Sequence, residues 1–492
     1  MRQRPKIALE STASASLSFP VFTILVCLLV LLRLFHLEPF IDDPHAWRQC
    51  DTAYYIYDFY KNGIDLLHPA VCWMGGQETL ALEFPLPEAL VAILYGIFGE
   101  HLFLARLVFL FFFLGMAYYF YQLVDLWWGR GLAQMSTLIL MCMPLGIYYS
   151  RAIHIDCSAL FFAYGMFYYY CRAINHQRSW DMAWSAAMAI PAFLIKVPYV
   201  FYLALPMLVY ALHRKALWWV LRRSWLYLFP IGAFVLWQQQ VYQINTAAPD
   251  WDYILHYRKF DENTAWYFGT LAQRLRPYSW WILLKRGVLE VVGMSALLFF
   301  IWGLIVSIRK KGYYLVYAWC LGVLMYVLIF FNLNFIHNYY QLPLMAPAAI
   351  LAAWGLMDLS HRLHQYWRGS LRQLKVLLLL FIFTGQMLFT EKAYYQIPHL
   401  EIEIGQLLRS HTPEEALLIT SYAKYDCRNP KLLYRARRRG WSIEEAAIQA
   451  SLIQRLHQEE GASHWAYIGA ELPIDPTKLQ LDSTHMQRFD LA

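Results

Sequence analysis

Charged residues are scarce in this chain: they make up 15% of its 492 residues, whereas hydrophobic residues make up 59%. A soluble protein of this length would carry more charge, so the composition indicates an integral membrane protein. The eight cysteines form no CxxC pair and show no metal-ligand spacing, which argues against a cysteine-based metal site. Cys50 and Cys72 could still pair in an outer loop. The chain also lacks an internal repeat, a low-complexity tract and a nucleotide-binding glycine loop.

The net charge of +7 comes from Lys and Arg residues that gather in short loops between apolar stretches. This distribution follows the positive-inside rule and does not indicate a nucleic-acid-binding surface. The chain is therefore expected to lie in a lipid bilayer and to bind no nucleic acid, with its N-terminus in the cytoplasm. The basic loops include Arg2 to Lys6, Arg130, Arg172 to Arg178, Arg214 to Arg223, Arg309 to Lys311 and Arg362 to Arg372.

The apolar stretches predict about eleven membrane-spanning helices, each long enough to cross a bilayer. Residues 18–35 are expected to form an uncleaved first helix, because no small-residue cleavage site follows them. An odd number of spans would place the C-terminus on the outer, periplasmic side. The predicted spans are 18–35, 102–125, 132–150, 156–173, 181–195, 198–213, 225–242, 288–308, 313–332, 340–359 and 374–393.

The remaining sequence predicts two long outer loops, 37–101 and 243–287, and a polar tail. Within the first loop, the short apolar segment 84–98 contains two prolines and Glu88, so it is expected to lie along the outer membrane surface as a juxtamembrane helix. The tail has strand-like stretches at 416–420 and 465–469 and a helix-like stretch at 441–457. We therefore predict a transmembrane domain over 1–394 and a small α/β domain over 395–492.

Polar and aromatic side chains are most concentrated at the start of the first loop. The run includes Asp42, Arg48, Gln49 and Asp51 with neighbouring aromatic residues, a mixture poorly suited to a core. A carboxylate close to Arg and aromatic side chains at the edge of a membrane suits a base that takes a proton from a hydroxyl or amine. The alternative is a solvated loop with ordinary helix caps.

Two further acidic positions stand at predicted outer boundaries. Glu83 precedes Pro85 and either has a functional role or favours the start of the following helix through its dipole. Arg151 and Asp156 bracket a short hairpin, where they could pair with each other or where the Arg could grip a lipid phosphate.

Lys196 and His337 each allow two interpretations. Lys196 lies between two apolar spans and could extend its amine to water or bind a phosphate. His337 lies on an outer hairpin and could be a structural residue whose ring is hydrogen-bonded. A metal site becomes plausible only if a second ligand, such as Glu83 or Asp156, lies close to it.

These features resemble the family 39 glycosyltransferases of the GT-C membrane fold, which are related to protein O-mannosyltransferases and to the aminoarabinose transferases that modify lipid A. The resemblance extends over about residues 18–395. It is carried by the order, spacing and common outer side of several short stretches. They are Trp47 to Ala53, Glu83 to Leu86, Arg151 with Asp156, Lys196 before Pro198, and His337 with Tyr339, Tyr340 and Pro343.

The resemblance implies an inverting enzyme that moves a sugar from a polyprenyl-phosphate donor to a glycan or glycolipid acceptor at the outer face of a bacterial inner membrane. By position, Asp51 matches the catalytic base, Asp156 with Arg151 matches a second acidic site, and Glu83 matches an acidic motif position. The chain departs from that motif because Phe84 stands where the aminoarabinose transferases have Lys.

Charge and the outer side of the membrane indicate which other side chains could bind substrate. On this basis Lys196, Arg258 or Arg274 could replace the missing motif lysine at the donor phosphate. Further substrate contacts are expected from Arg48, Gln49, Tyr339 and Tyr340. No cofactor is required, although His337 with Glu83 could hold a divalent metal ion, as in some relatives.

Two rival functions fit parts of the same pattern. A secondary transporter or lipid-sugar flippase also needs many spans, but transporters tend to show internal repeats and charged residues at mid-membrane. A polysaccharide polymerase or ligase would use a late outer loop rich in Arg, and the loop 243–287 contains Arg274 and Arg276.

Overall fold

The computed structural model describes residues 16–37, 40–42, 44–76, 79–247, 264–422 and 429–469, and these are mostly helical. The α-helices are α1 Phe19–Leu32, α2 Ala46–Asn62, α3 Leu86–Phe98, α4 Leu102–Trp128, α5 Arg130–Cys142, α6 Pro144–Tyr149, α7 Asp156–His176, α8 Ser179–Lys196, α9 Pro198–Phe201, α10 Ala204–His213, α11 Leu217–Leu221, α12 Leu228–Ala247, α13 Thr264–Phe268, α14 Leu271–Leu275, α15 Pro277–Arg286, α16 Met294–Ser307, α17 Tyr313–Ile329, α18 Phe331–Ile336, α19 Met345–His364, α20 Leu371–Tyr394, α21 His399–His411, α22 Lys431–Ala436 and α23 Ala450–Gln458. The strands are β1 Met74–Gly75, β2 Leu417–Tyr422, β3 Arg439–Glu444 and β4 His464–Ile468.

Among the described residues, three helices are long and apolar enough to cross a membrane: Leu102–Trp128, Asn338–His364 and Leu371–Tyr394. A fourth span results if Pro277–Val292 and Met294–Ser307, which are bent by 100° at their junction, count as one. Gly293 supplies this junction with a positive φ of 76°, a backbone conformation that glycine adopts without strain. The predicted number of about eleven spans is not confirmed.

The described residues divide into two compact units. The helical unit comprises those within 1–37, 105–237 and 264–395, and the loop–tail unit comprises those within 38–104, 238–263 and 396–492. This grouping differs from the domain division predicted from the sequence, because the first long loop belongs with the tail.

In the helical unit, α16 and α19 approach each other through glycine. A Cβ atom added at Gly303 would lie 1.8 Å from the carbonyl oxygen of Leu351, and one added at Gly355 would lie 1.9 Å from that of Phe299. Such distances leave no room for a side chain, so the two backbones are in direct contact. Small residues allow this close approach between helices in a membrane, where packing replaces the hydrophobic effect between helices.

We expect Gly303→Ala to lower the free energy of unfolding by roughly 1–3 kcal/mol, because the obstructing atom is backbone and cannot move aside as a side chain would. Thermal unfolding of the detergent-solubilised protein measures the change. Gly232→Ala in α12 is the matched control, since nothing lies within 4 Å of the added Cβ and Ala favours helix by up to about 1 kcal/mol. Equal melting temperatures for the two variants would contradict the expectation.

The loop–tail unit is built on one four-stranded sheet with the order β1-β3-β2-β4. Strand β2 runs parallel to both β3 and β4, and its Leu418 and Ile419 are fully buried. The helix predicted over 441–457 is partly wrong, because β3 continues to Glu444 and α23 begins only at Ala450. Four consecutive residues of β3 are buried, so this strand lacks the alternation that identifies a strand with one exposed face.

Strand β1 brings the first long loop into the same sheet. It pairs antiparallel with β3, with Met74 opposite Trp441 and Gly75 opposite Gly440, and the Gly440 amide donates to the carbonyl of Cys72 at 2.9 Å. The thiols of Cys50 and Cys72 are both buried and free, so the disulfide considered from the sequence is not formed. The segment around Cys72 is therefore held by strand pairing.

Candidate functional site

In the loop–tail unit, Asp51 is a buried carboxylate on the first loop's helix α2. This helix begins directly after His45, which has a left-handed backbone conformation with φ 58°. Asp51 is only 2% exposed, and its Oδ1 accepts a hydrogen bond of 2.9 Å from the indole Nε1 of Trp73. Its Oδ2 has no hydrogen-bond partner among the described residues. The carboxylate is thus anchored through Oδ1, and its Oδ2 is available to accept a further hydrogen bond.

The pKa of Asp51 is raised to about 7, and the largest cause is desolvation by burial. The charge of Arg48 and the hydrogen bond from Trp73 lower this pKa, whereas the charge of Glu83 raises it. Burial disfavours the ionised form of a carboxyl group, and these two partners only partly compensate. A carboxylate with a pKa near neutrality can accept a proton efficiently at physiological pH.

Arg48 and Glu83 form an ion pair near Asp51 in the same unit. Arg48 lies one turn before Asp51 on α2, and Thr52 donates to its backbone carbonyl at 3.1 Å. Glu83 lies just ahead of α3 and its side chain is 29% exposed. We call Arg48, Asp51, Trp73 and Glu83 the Asp51 cluster. Gln49 has a different contact: it donates to the carbonyl of Asp42 at 3.0 Å and so ties the preceding loop to α2.

Glu88 is a buried carboxyl group that was not among the site residues predicted from the sequence. It lies in the first turn of α3, is 3% exposed, and its Oε2 has no hydrogen-bond partner in the described part of the chain. Burial raises its pKa to about 8, with Arg48 lowering and Glu83 raising it. An acidic side chain within an otherwise apolar segment is the sequence signal that could have identified it.

In the helical unit, Asp156 is the first residue of α7 and is fully buried. Its Oδ1 accepts a hydrogen bond of 2.7 Å from Lys196 Nζ and a second one from the Tyr199 hydroxyl. His154 Nδ1 lies 2.6 Å from the Oδ2 atom. Asp156 therefore compensates the charge of Lys196 in a place from which water is excluded.

Lys196 ends α8 and is surrounded by aromatic rings. Its Nζ lies 4.0 Å from the ring centre of Tyr340, 4.8 Å from that of Tyr199 and 5.0 Å from that of Tyr339. Ammonium groups over aromatic faces are stabilised by cation–π attraction. The lysine is only 6% exposed, so its amine does not extend to water. His154, Asp156, Lys196, Tyr199, Tyr339 and Tyr340 are named the Asp156 cluster.

The remaining predicted residues lie in different surroundings. His337 stacks on Tyr339 with ring centres 4.9 Å apart. The late hairpin reaches Lys196 through Tyr339 and Tyr340. Arg151 lies over the ring of Tyr395 at 4.5 Å. Arg274 donates to the backbone carbonyls of Leu328 and Phe268, both at 2.5 Å, which are structural contacts. Arg258 lies outside the described residues.

Glu83 lies in the loop–tail unit and His337 in the helical unit, and the metal site considered for them stays a prediction. Within the ranges that the structure describes, no group of three or more His, Cys, Asp or Glu side chains could hold a metal ion. Glu83 pairs with Arg48, and His337 stacks on a tyrosine.

Residues 83–241, less than half of the chain, match the sequence family described as dolichyl-phosphate-mannose-protein mannosyltransferase. The matched segment contains Glu83, Arg151, Asp156 and Lys196, and it begins after Asp51. Comparison with curated protein sequences yields no significant match.

Solved membrane-enzyme structures have a similar fold at low sequence identity. ArnT from Cupriavidus metallidurans bound to undecaprenyl phosphate superposes with a TM-score of 0.64 and 13% identity, over 91% of this chain and 90% of that one. The oligosaccharyltransferase of Archaeoglobus fulgidus in its apo form superposes with a TM-score of 0.56 and 12% identity, over 86% of this chain and 64% of that one. The complex of the Archaeoglobus fulgidus enzyme with an inhibitory peptide and a dolichol-phosphate superposes with a TM-score of 0.52 and 11% identity, over 85% of this chain and 64% of that one. The fold expected from the resemblance, that of the GT-C membrane glycosyltransferases, is confirmed.

Proposed function

We propose that this chain, which has the fold of the GT-C membrane glycosyltransferases, moves a sugar from a polyprenyl-phosphate donor to a glycan or glycolipid acceptor. The reaction takes place at the outer face of a bacterial inner membrane, with the N-terminus in the cytoplasm and the C-terminus in the periplasm. The likeness to ArnT, whose structure contains undecaprenyl phosphate, supports a lipid-linked donor. The absence of a nucleotide-binding glycine loop from the sequence fits the same donor class.

The observation that carries this proposal is the buried Asp51, whose Oδ2 lacks a hydrogen-bond partner among the described residues and whose pKa is raised to about 7. This oxygen takes the proton of the acceptor hydroxyl as the hydroxyl oxygen bonds to the anomeric carbon. The bond from that carbon to the phosphate oxygen breaks, and its electron pair leaves with polyprenyl phosphate. A single displacement of this kind inverts the anomeric centre.

The other predicted residues are given roles within their own units. Arg48, held by Glu83, keeps a positive charge near Asp51 and so favours its ionised form. In the helical unit, Lys196 and Arg151 are cations suited to a leaving phosphate, and preorganised charges of this kind stabilise a transition state. Asp156 keeps Lys196 charged and fixed, while Tyr339 and Tyr340 offer flat faces for the substrate.

The test is release and transfer by the purified full chain in liposomes, with a panel of radiolabelled polyprenyl-phosphate sugars and a mixed acceptor pool of envelope glycans and glycolipids. The proposal expects label to leave the lipid and appear on one acceptor class, with polyprenyl phosphate as the second product. Movement of intact labelled lipid across the bilayer without release would overturn it in favour of a flippase. Elongation of one glycan by repeat units would favour a polymerase.

The pH dependence of transfer reports the base directly. Because Asp51 acts when ionised, we expect the rate to rise through pH 7 and then level off. In Trp73→Phe the carboxylate loses a hydrogen bond that lowers its pKa, so the rising limb should move to higher pH. Trp465→Phe is the matched control in the same unit, since its indole donates instead to Ser421. An identical pH profile for Trp73→Phe and the parent would count against Asp51 as the base.

A further inference from the structure

Glu290 lies on an unusual backbone segment in the helical unit. It belongs to the π-helical turn Gly287–Val292, which ends at Gly293 where the chain bends by 100° into α16. Single π-helical turns occur frequently at functional sites. The Glu290 side chain is 21% exposed.

The Glu290 carboxylate accepts two short hydrogen bonds through one oxygen. Asn338 Nδ2 and the Tyr394 hydroxyl both donate to its Oε2 at 2.6 Å. Arg286 Nε lies 4.0 Å from the other oxygen, while the same guanidinium donates to the carbonyl of Phe335 at 2.6 Å. Glu290 therefore ties α20 and the hairpin after α18 to the π-helical turn.

The amide of Asn338 has a defined orientation because both of its ends are engaged. Its Nδ2 donates to Glu290, and its Oδ1 accepts a hydrogen bond of 2.7 Å from the Tyr149 hydroxyl. If the acceptor on Glu290 were lost, the amide could rotate and present its NH2 group to Tyr149. Fixing one end of such an amide thus determines what the other end can bind.

This hydrogen-bonded chain borders the Asp156 cluster at two points. The Tyr149 ring contacts His154 and Tyr339, with ring centres 5.4 Å and 6.0 Å apart. Asn338 also directly precedes Tyr339, whose ring covers Lys196. Side chains that Glu290 holds thus lie against the rings that surround Lys196.

We propose that Glu290 is a positioning residue for the Asp156 cluster, acting through Asn338 and Tyr149 to hold Tyr339 and Lys196 in place. The role in transfer rests on the proposed function, whereas the effect on Lys196 does not. The required property is a hydrogen-bond acceptor at Oε2. Glu290→Gln keeps an oxygen there, and Glu290→Ala removes it.

The first measurement is the rate at which an amine-reactive acylating reagent labels Lys196, followed by peptide mass spectrometry. Loss of a hydrogen bond to a charged group should raise the labelling of Lys196 about 10-fold in Glu290→Ala. Glu290→Gln should return it close to the parent rate, and Tyr149→Phe should raise it. Glu391→Ala, which removes an exposed carboxylate of α20, serves as the control. Unchanged labelling in Glu290→Ala would overturn the proposal.

The second measurement is transfer in the liposome assay. We expect Glu290→Ala to lower kcat/KM about 10²-fold, since a small misplacement of binding groups has effects of that size. The double variant Glu290→Ala, Tyr149→Phe should lose little more than Glu290→Ala alone, because both act through Asn338. Independent, additive losses would overturn the proposal. If the parent shows no transfer, the proposed function fails, and the Lys196 labelling still decides the role of Glu290.

Discussion

Replacing Asp51 by Asn should lower the rate of sugar transfer by about 10² to 10⁴, the usual contribution of general base catalysis. The asparagine amide has the same shape and can still accept the hydrogen bond from Trp73 through its oxygen. Its NH2 group would stand where Oδ2 lies and cannot take a proton from an acceptor hydroxyl. The measurement is transfer of label from polyprenyl-phosphate sugars in membranes that carry equal amounts of the two proteins.

The matched control is Asp58→Asn on the same helix. Asp58 accepts a hydrogen bond from Asn62 at 2.8 Å, and its side chain belongs to neither cluster. This variant should transfer at the parent rate, which would separate the chemistry of Asp51 from a general effect of one lost negative charge on α2. Parent-like transfer by Asp51→Asn would remove Asp51 as the base. The search for that group would then turn to Glu83 and Glu88.

Replacing Lys196 by Met should lower the free energy of unfolding by about 3–5 kcal/mol, because it leaves the buried carboxylate of Asp156 without its cation. Asp156→Asn should have an effect of similar sign, since it leaves a buried ammonium group uncompensated. The double variant Lys196→Met, Asp156→Asn should lose less than the sum of the two single variants, because neither charge remains. Thermal unfolding in detergent measures all three.

The control breaks another cation–carboxylate pair of the helical unit. Arg362→Met disrupts the pair with Asp358. The Arg362 side chain is 56% exposed and the Asp358 side chain is 22% exposed. Exposed pairs of this type contribute about 0–1 kcal/mol, so this variant should unfold near the parent temperature. Strict additivity of the Lys196 and Asp156 variants would indicate that the pair contributes nothing through its mutual contact. All variants at Lys196 and Asp156 should also be impaired in transfer.

Several residues of the candidate site could be named from the sequence because polar side chains are rare in this chain and their clustering is informative. Arg48, Asp51 and Glu83 were identified in this way, although the ion pair between Arg48 and Glu83 joins residues far apart in the sequence. Trp73 was missed, because an aromatic residue in a loop carries no sign that its indole will meet a carboxylate. Contacts of this kind are made only by the folded chain.

The partner of Asp156 shows the same limitation. Arg151 was one possible partner because it is near in sequence, yet Lys196 and Tyr199 donate directly to the Asp156 carboxylate. Both lie at the junction of α8 and α9, where Pro198 begins the shorter helix. The sequence identified Lys196 as a residue of interest but could not supply its contact across two helices.

The fold was predictable in class, and less so in its elements. Hydropathy and loop charge predicted a helical membrane protein, but they cannot separate a spanning helix from shorter broken helices such as α9 and α10. In the tail, a run of buried residues at β3 resembled the start of a helix, because periodicity does not distinguish a short buried strand from a buried helix. The pairing of β1 with β3 has no local sequence signal at all.

That strand pairing has a consequence for biosynthesis. Trp73 leaves the ribosome early. Strand β3, which pairs with Met74 and Gly75 next to it, is synthesised only after the helices that lie between β1 and β3 in the sequence. Until then the carbonyl of Cys72 lacks the Gly440 amide, and the indole that anchors Asp51 has no sheet behind it. The helices between β1 and β3 are therefore made before the sheet that backs Trp73 can form, so the surroundings of the proposed base Asp51 are completed only with the tail.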